Sequence, residues 1–346
     1  IKIKRFNFKL KYKESMTIGI KFAVKLTICY FVGGFYMKRI LIVVLSLAVL
    51  LGGAFAQAKK SVAICLPGSV EFFAVERKGM DQAAAKYNIA LTYADAEWDA
   101  GKQLNQVENF VSKKVDAIML CSCDPQALLP AVKMCNDANI PLITFTNTIG
   151  PDPTGQYPGV VTFIGINDKT YGIMMGQMAA KLLGDRPANI VLIEGEPGTS
   201  AQRLRSDGFK AELAKYPKYK IVYSQAIPGW TREGALAAME AFLQTKQPFD
   251  LVSAEWTDGA IAAAKAIREA GLKGKYVTAL EYSKALQAEI KAGNVQMTAF
   301  ASIVNIGYTA VETTANYLAG KKVPTFVEIV PVFVDKSNVD QYVPEM

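Results

Sequence analysis

Val115-Asp-Ala-Ile-Met-Leu-Cys-Ser-Cys-Asp124 and, 134 residues further on, Phe249-Asp-Leu-Val-Ser-Ala-Glu-Trp-Thr-Asp258 share one layout. Each is a short apolar run flanked by aspartates, Asp116 and Asp124 in one copy and Asp250 and Asp258 in the other. A stretch of helical periodicity follows, and then a second apolar run, Leu142-Ile-Thr144-Phe or Tyr276-Val-Thr278-Ala. Strand, helix and strand in that order is the unit of a parallel sheet, because parallel neighbours need a long crossover. Outward from these copies the same alternation covers the chain from Ser61. Apolar runs fall at Val62–Leu66, Ile89–Tyr93, Val115–Cys121, Pro141–Phe145, Val160–Ile166, Ile190–Ile193, Ile221–Ala226, Leu251–Ala254, Tyr276–Leu280 and Met297–Ala301. Between most of them lie stretches of 3.6-residue period, such as Phe73–Lys86, Gly101–Lys113, Ala127–Asn139, Tyr171–Leu183 and Arg232–Thr245. Runs apolar on both faces imply sheets covered on both sides. Ten of them exceed one ordinary sheet, so the expected fold class is α/β with two doubly wound parallel-sheet lobes. The repeat sets Asn147 opposite Glu281 and Ser122 opposite Trp256, just past matching strand ends. Open α/β sheets bind ligands at those ends, so two facing lobes would line one cleft.

The chain has 346 residues, 39 Lys and Arg, 31 Asp and Glu, and no histidine. Without histidine, Ser-His-Asp and Cys-His catalysis, His-ligated zinc and imidazole acid–base chemistry are excluded. No enzyme activity, metal or cofactor is expected. Apolar or small residues from Ile40 to Ala54 follow Lys38-Arg39 and close on Ala54-Phe55-Ala56. A positive head, an apolar middle and an A-x-A end describe a secretory signal peptide over residues 37–56, cut before Gln57. The apolar run is shorter than the ~20 residues of a spanning helix. Glutamine after the cut gives no lipid anchor, and a soluble periplasmic protein is expected. Residues 1–36, ahead of Met37, are expected to be a leader or non-native extension. Residues 1–56 hold ten Lys and Arg and one Glu, which leaves 29 basic against 30 acidic side chains. That near-neutral remainder lacks the basic stripe of a nucleic-acid binder. The oxidising compartment permits a disulfide between Cys123 and Cys135. The expected state of Cys65, Cys121, Cys123 and Cys135 is instead four partly buried thiols acting as small apolar residues.

The run Gly195-Glu-Pro-Gly198-Thr-Ser-Ala-Gln-Arg203-Leu-Arg-Ser-Asp-Gly208-Phe209 resembles the second-lobe signature of ribose-type periplasmic sugar-binding proteins. So do Ala138-Asn-Ile-Pro141-Leu-Ile-Thr, Gly165-Ile-Asn-Asp-Lys-Thr-Tyr-Gly172 and Phe333-Val-Asp-Lys-Ser-Asn-Val-Asp-Gln-Tyr342, in the family's order. The resemblance implies the type 1 periplasmic binding protein fold, with two lobes joined by a three-segment hinge. Crossings are implied near Gly165, Ala301–Ser302 and Val327–Val330. The amino-terminal lobe would then be 57–164 plus 302–327, and the carboxy-terminal lobe 165–301 plus 328–346.

Position by position, the resemblance implies ligand contacts at Phe72, Phe73, Thr146, Asn147, Arg203, Trp230, Trp256 and Glu281. Phe72 and Phe73 stand where the family has two ring-gripping aromatics. Adjacent helical positions point about 100° apart, so one of the two is expected in the core. Thr146-Asn147 replaces an Asp-Arg pair, and Trp256 replaces an asparagine. Such a pocket is more aromatic and less charged than a ribose site. Arg203 offers a rigid fork of donors, with Arg205 expected to face solvent. Trp230 is expected in the cleft, against the alternative of closing a helix start upon the core. Trp256 is expected as a stacking surface, with Thr257 or Asp258 capping the next helix. Glu281 would accept from ligand hydroxyls or pair with Arg203 across the lobes. Asp124, Asp168 and Asp258 read as helix caps. Trp98 is assigned no contact. The implied function is the solute-binding component of an ABC importer, taking a sugar, modified sugar or polyol. The alternative is a sensor of the same fold serving a chemoreceptor or sensor kinase. A monomer is expected, with a small-molecule ligand and a membrane permease as partners.

Overall fold

Val62-Ala-Ile-Cys-Leu66 is apolar at every position, and both of its faces are used. Val62, Ile64 and Leu66 enter one apolar layer with Phe73 and Met80, whereas Ala63 and Cys65 enter another with Val107 and Leu120. In a computed structural model the protein is described over residues 59–346. The expected extension and signal peptide lie outside the described residues.

The chain runs β1 (Lys60–Leu66), α1 (Glu71–Tyr87), β2 (Ile89–Asp95), α2 (Ala100–Ser112), β3 (Ala117–Leu120), α3 (Leu129–Asp137), β4 (Leu142–Phe145) and β5 (Thr162–Gly165). It continues as α4 (Asp168–Leu183), β6 (Ala188–Glu194), α5 (Ser200–Leu213), β7 (Tyr219–Ala226), α6 (Arg232–Gln244), β8 (Leu251–Ala254), α7 (Thr257–Glu269), β9 (Tyr276–Leu280), α8 (Lys284–Ala292) and β10 (Met297–Phe300). It ends with α9 (Ile303–Leu318), β11 (Phe326–Glu328) and β12 (Val332–Asp335). Two six-stranded sheets result, ordered β2-β1-β3-β4-β5-β11 and β7-β6-β8-β9-β10-β12. Every pair is parallel except β12 against β10. The second sheet also alternates, with Val191 and Ile193 on one side and Ile190 and Leu192 on the other. The α/β class with two doubly wound lobes is therefore as the sequence implies.

The chain passes between the sheets three times, after β5, β10 and β11. In the second passage Ser302 caps α9, and Glu345 accepts from Ser302 Oγ at 2.5 Å and Ile303 N at 2.6 Å. β11 and β12 are short edge strands that the pattern of apolar runs does not announce. Among the described residues Cys65, Cys121, Cys123 and Cys135 are buried free thiols, as expected of small apolar residues.

Within each lobe the helix after the first strand meets the helix that follows a crossing, and they touch backbone to backbone. A Cβ on Gly79 of α1 would lie 1.9 Å from the carbonyl oxygen of Val304 in α9. In the second lobe a Cβ on Gly172 of α4 would lie 2.0 Å from that of Arg205 in α5. Neither obstacle is a side chain that can swing aside, so the helices would have to part. Gly172→Ala is expected to lower unfolding stability in urea by about 1–3 kcal/mol, the ordinary cost of overpacking. A change below about 0.5 kcal/mol would show that α4 and α5 separate freely.

Candidate functional site

The carboxyl ends of both sheets open onto one cavity of about 320 Å³. Phe72, Phe73, Thr146, Asn147, Trp230, Trp256 and Glu281 line it; Arg203 does not. Phe73 is buried in the first lobe's core, and Phe72 packs against apolar layers of both lobes. The two rings meet edge to face, with centroids 5.4 Å apart.

Arg203 is corrected by the helix geometry. Thr199 caps α5 by accepting from Gln202 N. Residues 203 and 205 then lie about 200° apart around the axis. Arg205 shares the inward side with Ala201, also a lining residue, while Arg203 faces outward beside Asp207 at 3.7 Å. The solvent-facing arginine is thus Arg203, and the cavity arginine is Arg205.

Arg205 is fixed from several sides. Its Nε donates to Asp168 Oδ1 at 2.8 Å and its Nη1 to the Glu255 carbonyl at 2.8 Å. Its guanidinium lies over the rings of Tyr171 and Trp230, 5.2 and 5.5 Å from the centroids. Glu281 Oε1 is 4.0 Å from Nη1. This pair is internal to the second lobe and involves Arg205; the expectation for Glu281 was ligand hydroxyls, with a bridge to Arg203 across the lobes as the alternative. Burial would lower the Arg205 pKa, but Asp168 and Glu281 raise it above its ordinary value. Burial pushes Glu281 up to about 7 against the pull of Arg205.

A buried acid supports this floor. Burial pushes Glu255 up to about 8. Its Oε2 accepts from Gly195 N at 2.9 Å, and its Oε1 lies 2.9 Å from Ser206 Oγ. Ser206 Oγ is also 2.7 Å from Glu194 Oε2. One hydroxyl hydrogen cannot serve two carboxylates. A protonated Glu255 resolves the count by donating to Ser206, which donates to Glu194. Glu194 is held below its usual range: burial would raise it, but donors from Ser224, Ser206 and Gln202 outweigh that.

The amino-terminal lobe repeats the plan with different chemistry. Thr146 N donates to Ile164 O at 2.9 Å and Glu281 N to Ala299 O at 2.8 Å, with φ of 58° and 69°. Thr146, rather than Asn147, therefore matches Glu281, because β9 carries one residue more than β4. Glu76 holds the place that Arg205 holds in the other lobe, each three residues before a glycine that packs on the backbone of the neighbouring helix, Gly79 on Val304 and Gly208 on Lys169. Thr146 Oγ1 donates to Glu76 Oε1, and Glu76 Oε2 has no partner. Burial pushes Glu76 up to about 8 despite that hydrogen bond. Asn147 Nδ2 donates to Ser122 O at 2.8 Å, which aims the residue from behind. The lobes also touch directly, Thr148 N donating to Ser200 Oγ at 2.9 Å.

The indoles come from loops bent sharply at strand ends. Trp230 ends a short turn, Pro228–Trp230, in which Glu196 accepts from Gly229 N. Its ring meets Trp256 edge-on, with centroids 5.5 Å apart at 85°. Trp256 occupies the cap position of α7 without a side-chain bond, and neither Thr257 nor Asp258 caps it. Thr257 Oγ1 donates to Leu280 O at 3.1 Å, and Asp258 pairs with Arg232. Asn167 caps α4, which frees Asp168 for Arg205. Asp124 does accept from the backbone, from Gln126 N and Ala127 N, though in the turn before α3.

Among the lining residues missed from sequence, Arg205 and Trp98 matter most to the site's shape and charge. Trp98 has φ of 63° and lies 6.4 Å from Phe73, centroid to centroid. A readable signal existed: Trp98 and Trp230 each stand just before a helix cap, Asp99 and Thr231. Among the described residues no cluster of three or more His, Cys, Asp or Glu could hold a metal ion.

The model of a family described as periplasmic binding protein domain matches residues 62–322. The ribose import binding protein of Bacillus subtilis (strain 168) is 30% identical over 255 residues, 73% of this chain and 79% of its own. An ABC transporter solute binding protein from Bacillus halodurans C-125, solved with bound myo-inositol, is 26% identical with a TM-score of 0.76, covering 83% of this chain and 98% of that one. A periplasmic solute binding protein of an ABC transporter from Actinobacillus succinogenes 130z, solved with bound D-allose, is 27% identical with a TM-score of 0.74, covering 82% and 100%.

Proposed function

The chain belongs to the periplasmic binding protein family and has its type 1 fold, and on that premise we propose that it is the solute-binding component of an ABC importer, closing two lobes over a small neutral sugar or polyol. The observation that carries this reading is the make-up of the cavity. At about 320 Å³ it sits at the small end of ligand sites, which suits one small molecule. Its lining holds three cations (Arg205, Arg232, Lys284) and three acids (Glu71, Asp258, Glu281), a balance that favours an uncharged guest. Aromatic faces would take the C–H surfaces of such a guest, and the polar groups would take its hydroxyls.

In this reading Phe72, Phe73, Trp230 and Trp256 supply the apolar walls, and Thr146, Asn147 and Glu281 the polar contacts. Arg205 takes the part assigned to Arg203, donating the N–H groups that Asp168 and Glu255 leave over. The lobes, 57–164 plus 302–327 and 165–301 plus 328–346, would move as bodies about the three crossings. The ligand stabilises the closed form through contacts with both lobes that an open form lacks. The protein would be exported by cleavage near Ala56-Gln57, act as a monomer, break no bond and present its closed form to a membrane permease. The named relatives are an import binding protein and solute binding proteins of ABC transporters, which favours this over a sensor.

Calorimetric titration with D-ribose, D-allose, myo-inositol and xylitol tests it, beside native mass spectrometry of freshly purified protein. At least one neutral polyol should bind one to one with micromolar or tighter affinity. Binding confined to charged solutes, such as amino acids or sugar phosphates, would overturn the reading.

A further inference from the structure

Trp98 and Trp230 occupy the same place in their two lobes, and four observations establish the match. Each has a left-handed backbone, with φ of 63° and 53°. Each lies on a glycine just after its lobe's first strand: a Cβ on Gly68 would come within 2.3 Å of the Trp98 ring, and one on Gly195 within 1.9 Å of the Trp230 ring. Each directly precedes a helix cap, Asp99 accepting from Lys102 N and Thr231 from Gly234 N. Both line the one cavity. A bulky residue at positive φ is a true outlier, and such conformations gather at ligand clamps. Here the same outlier recurs on the same side chain in both lobes, with a glycine beneath it each time.

We propose that Trp98 is the first lobe's jaw of the ligand site, the counterpart of Trp230, and that the two indoles select cyclic over open-chain polyols by bearing on the guest from opposite lobes. The inference rests on the sugar-or-polyol reading above. A ring presents its C–H groups together as a preformed surface that an indole face covers at once. An open chain must be held straight to offer the same surface, and ordering each of its bonds costs entropy. Floor contacts through Arg205 and Glu281 recognise hydroxyls of either kind, so discrimination falls to the jaws.

Affinities of the wild type, Trp98→Ala, Trp98→Phe and Trp230→Ala for myo-inositol, D-ribose, D-allose and xylitol test this by calorimetry. Trp98→Ala should weaken the best cyclic ligand at least tenfold and reduce the preference for cyclic ligands over xylitol. Trp230→Ala should act in the same direction, and Trp98→Phe should restore most of both. Should Trp98→Ala fail to fold, Trp98→Phe against Trp98→Leu puts the same question at similar bulk, with a ring and without one. A change within twofold in Trp98→Ala overturns the role of Trp98. So does an equal loss for cyclic and acyclic ligands that phenylalanine does not restore, since that marks mere support for the loop. A wild type preferring xylitol overturns the clamp while leaving the sugar-or-polyol reading intact. A wild type that binds none of the four overturns both.

Discussion

Replacing Arg205 by methionine is expected to lower unfolding free energy by about 3–5 kcal/mol at pH 7 and to abolish measurable ligand binding. The same change at Arg203 should alter stability by no more than about 0.5 kcal/mol. The contrast follows from what each side chain touches. Arg205 is 5% exposed and holds the buried Asp168 at 2.8 Å, with Glu281 at 4.0 Å. Its removal leaves two buried carboxyl groups without a counter-charge, and the Glu255 carbonyl loses a donor. Methionine keeps the apolar stem between Tyr171 and Trp230, so the loss reports the charge rather than the volume. Arg203 has a side chain 42% exposed and only a long contact with Asp207, of the kind that contributes little. Urea unfolding and calorimetry on the two variants decide the matter. Equal effects, or a larger one at position 203, would mean that α5 presents its other side to the cavity.

The second large effect concerns Glu76. In the folded protein it is held up to about 8, whereas an unfolded chain ionises it near 4.5. Between those values the folded state carries a proton that the unfolded state has lost. Stability from this group is therefore fully present below about pH 4.5 and falls by about 1.4 kcal/mol per pH unit until pH 8 is passed. Glu255 and Glu281 contribute in the same direction, with folded values of about 8 and 7. Glutamine has the shape of the protonated acid and cannot ionise. Glu76→Gln should match the wild type at pH 4.5, exceed it by a few kcal/mol at pH 8.5, and show a slope shallower by one proton. Urea titrations across that range measure both slopes; parallel curves would mean that Glu76 is already ionised in the fold.

The fold could be read because the two periodicities separate cleanly in this chain. Val62–Leu66 and Ile190–Ile193 are apolar without interruption, and the helices between them are not. β11 and β12 escaped because three or four residues at a sheet edge, most of them partly exposed, carry little pattern. The strand-end rule placed Asn147, Trp256 and Glu281 beside one cavity, since topology alone puts those positions there, whereas Ser122, picked by the same rule, does not line it and Thr146 came from the resemblance. The two arginines were exchanged because the resemblance supplied a position where helical phase was needed. That phase was legible: Arg203, Asp207 and Lys210 form a polar row, and Ala201, Leu204 and Gly208 flank Arg205 on the opposite side. Asp168 was taken for a cap because acids commonly open helices, yet Asn167, one residue earlier, satisfies the α4 backbone. The equivalence of Asn147 and Glu281 slipped by one because a constant offset cannot register a strand one residue longer.

The chain contains three tryptophans, and all of them stand around the same chamber. Indole emission from an untagged, unlabelled sample, excited at the red edge where tyrosine does not absorb, therefore originates wholly at that chamber. The molecule is built as its own optical gauge, and its brightness and colour should follow occupancy second by second.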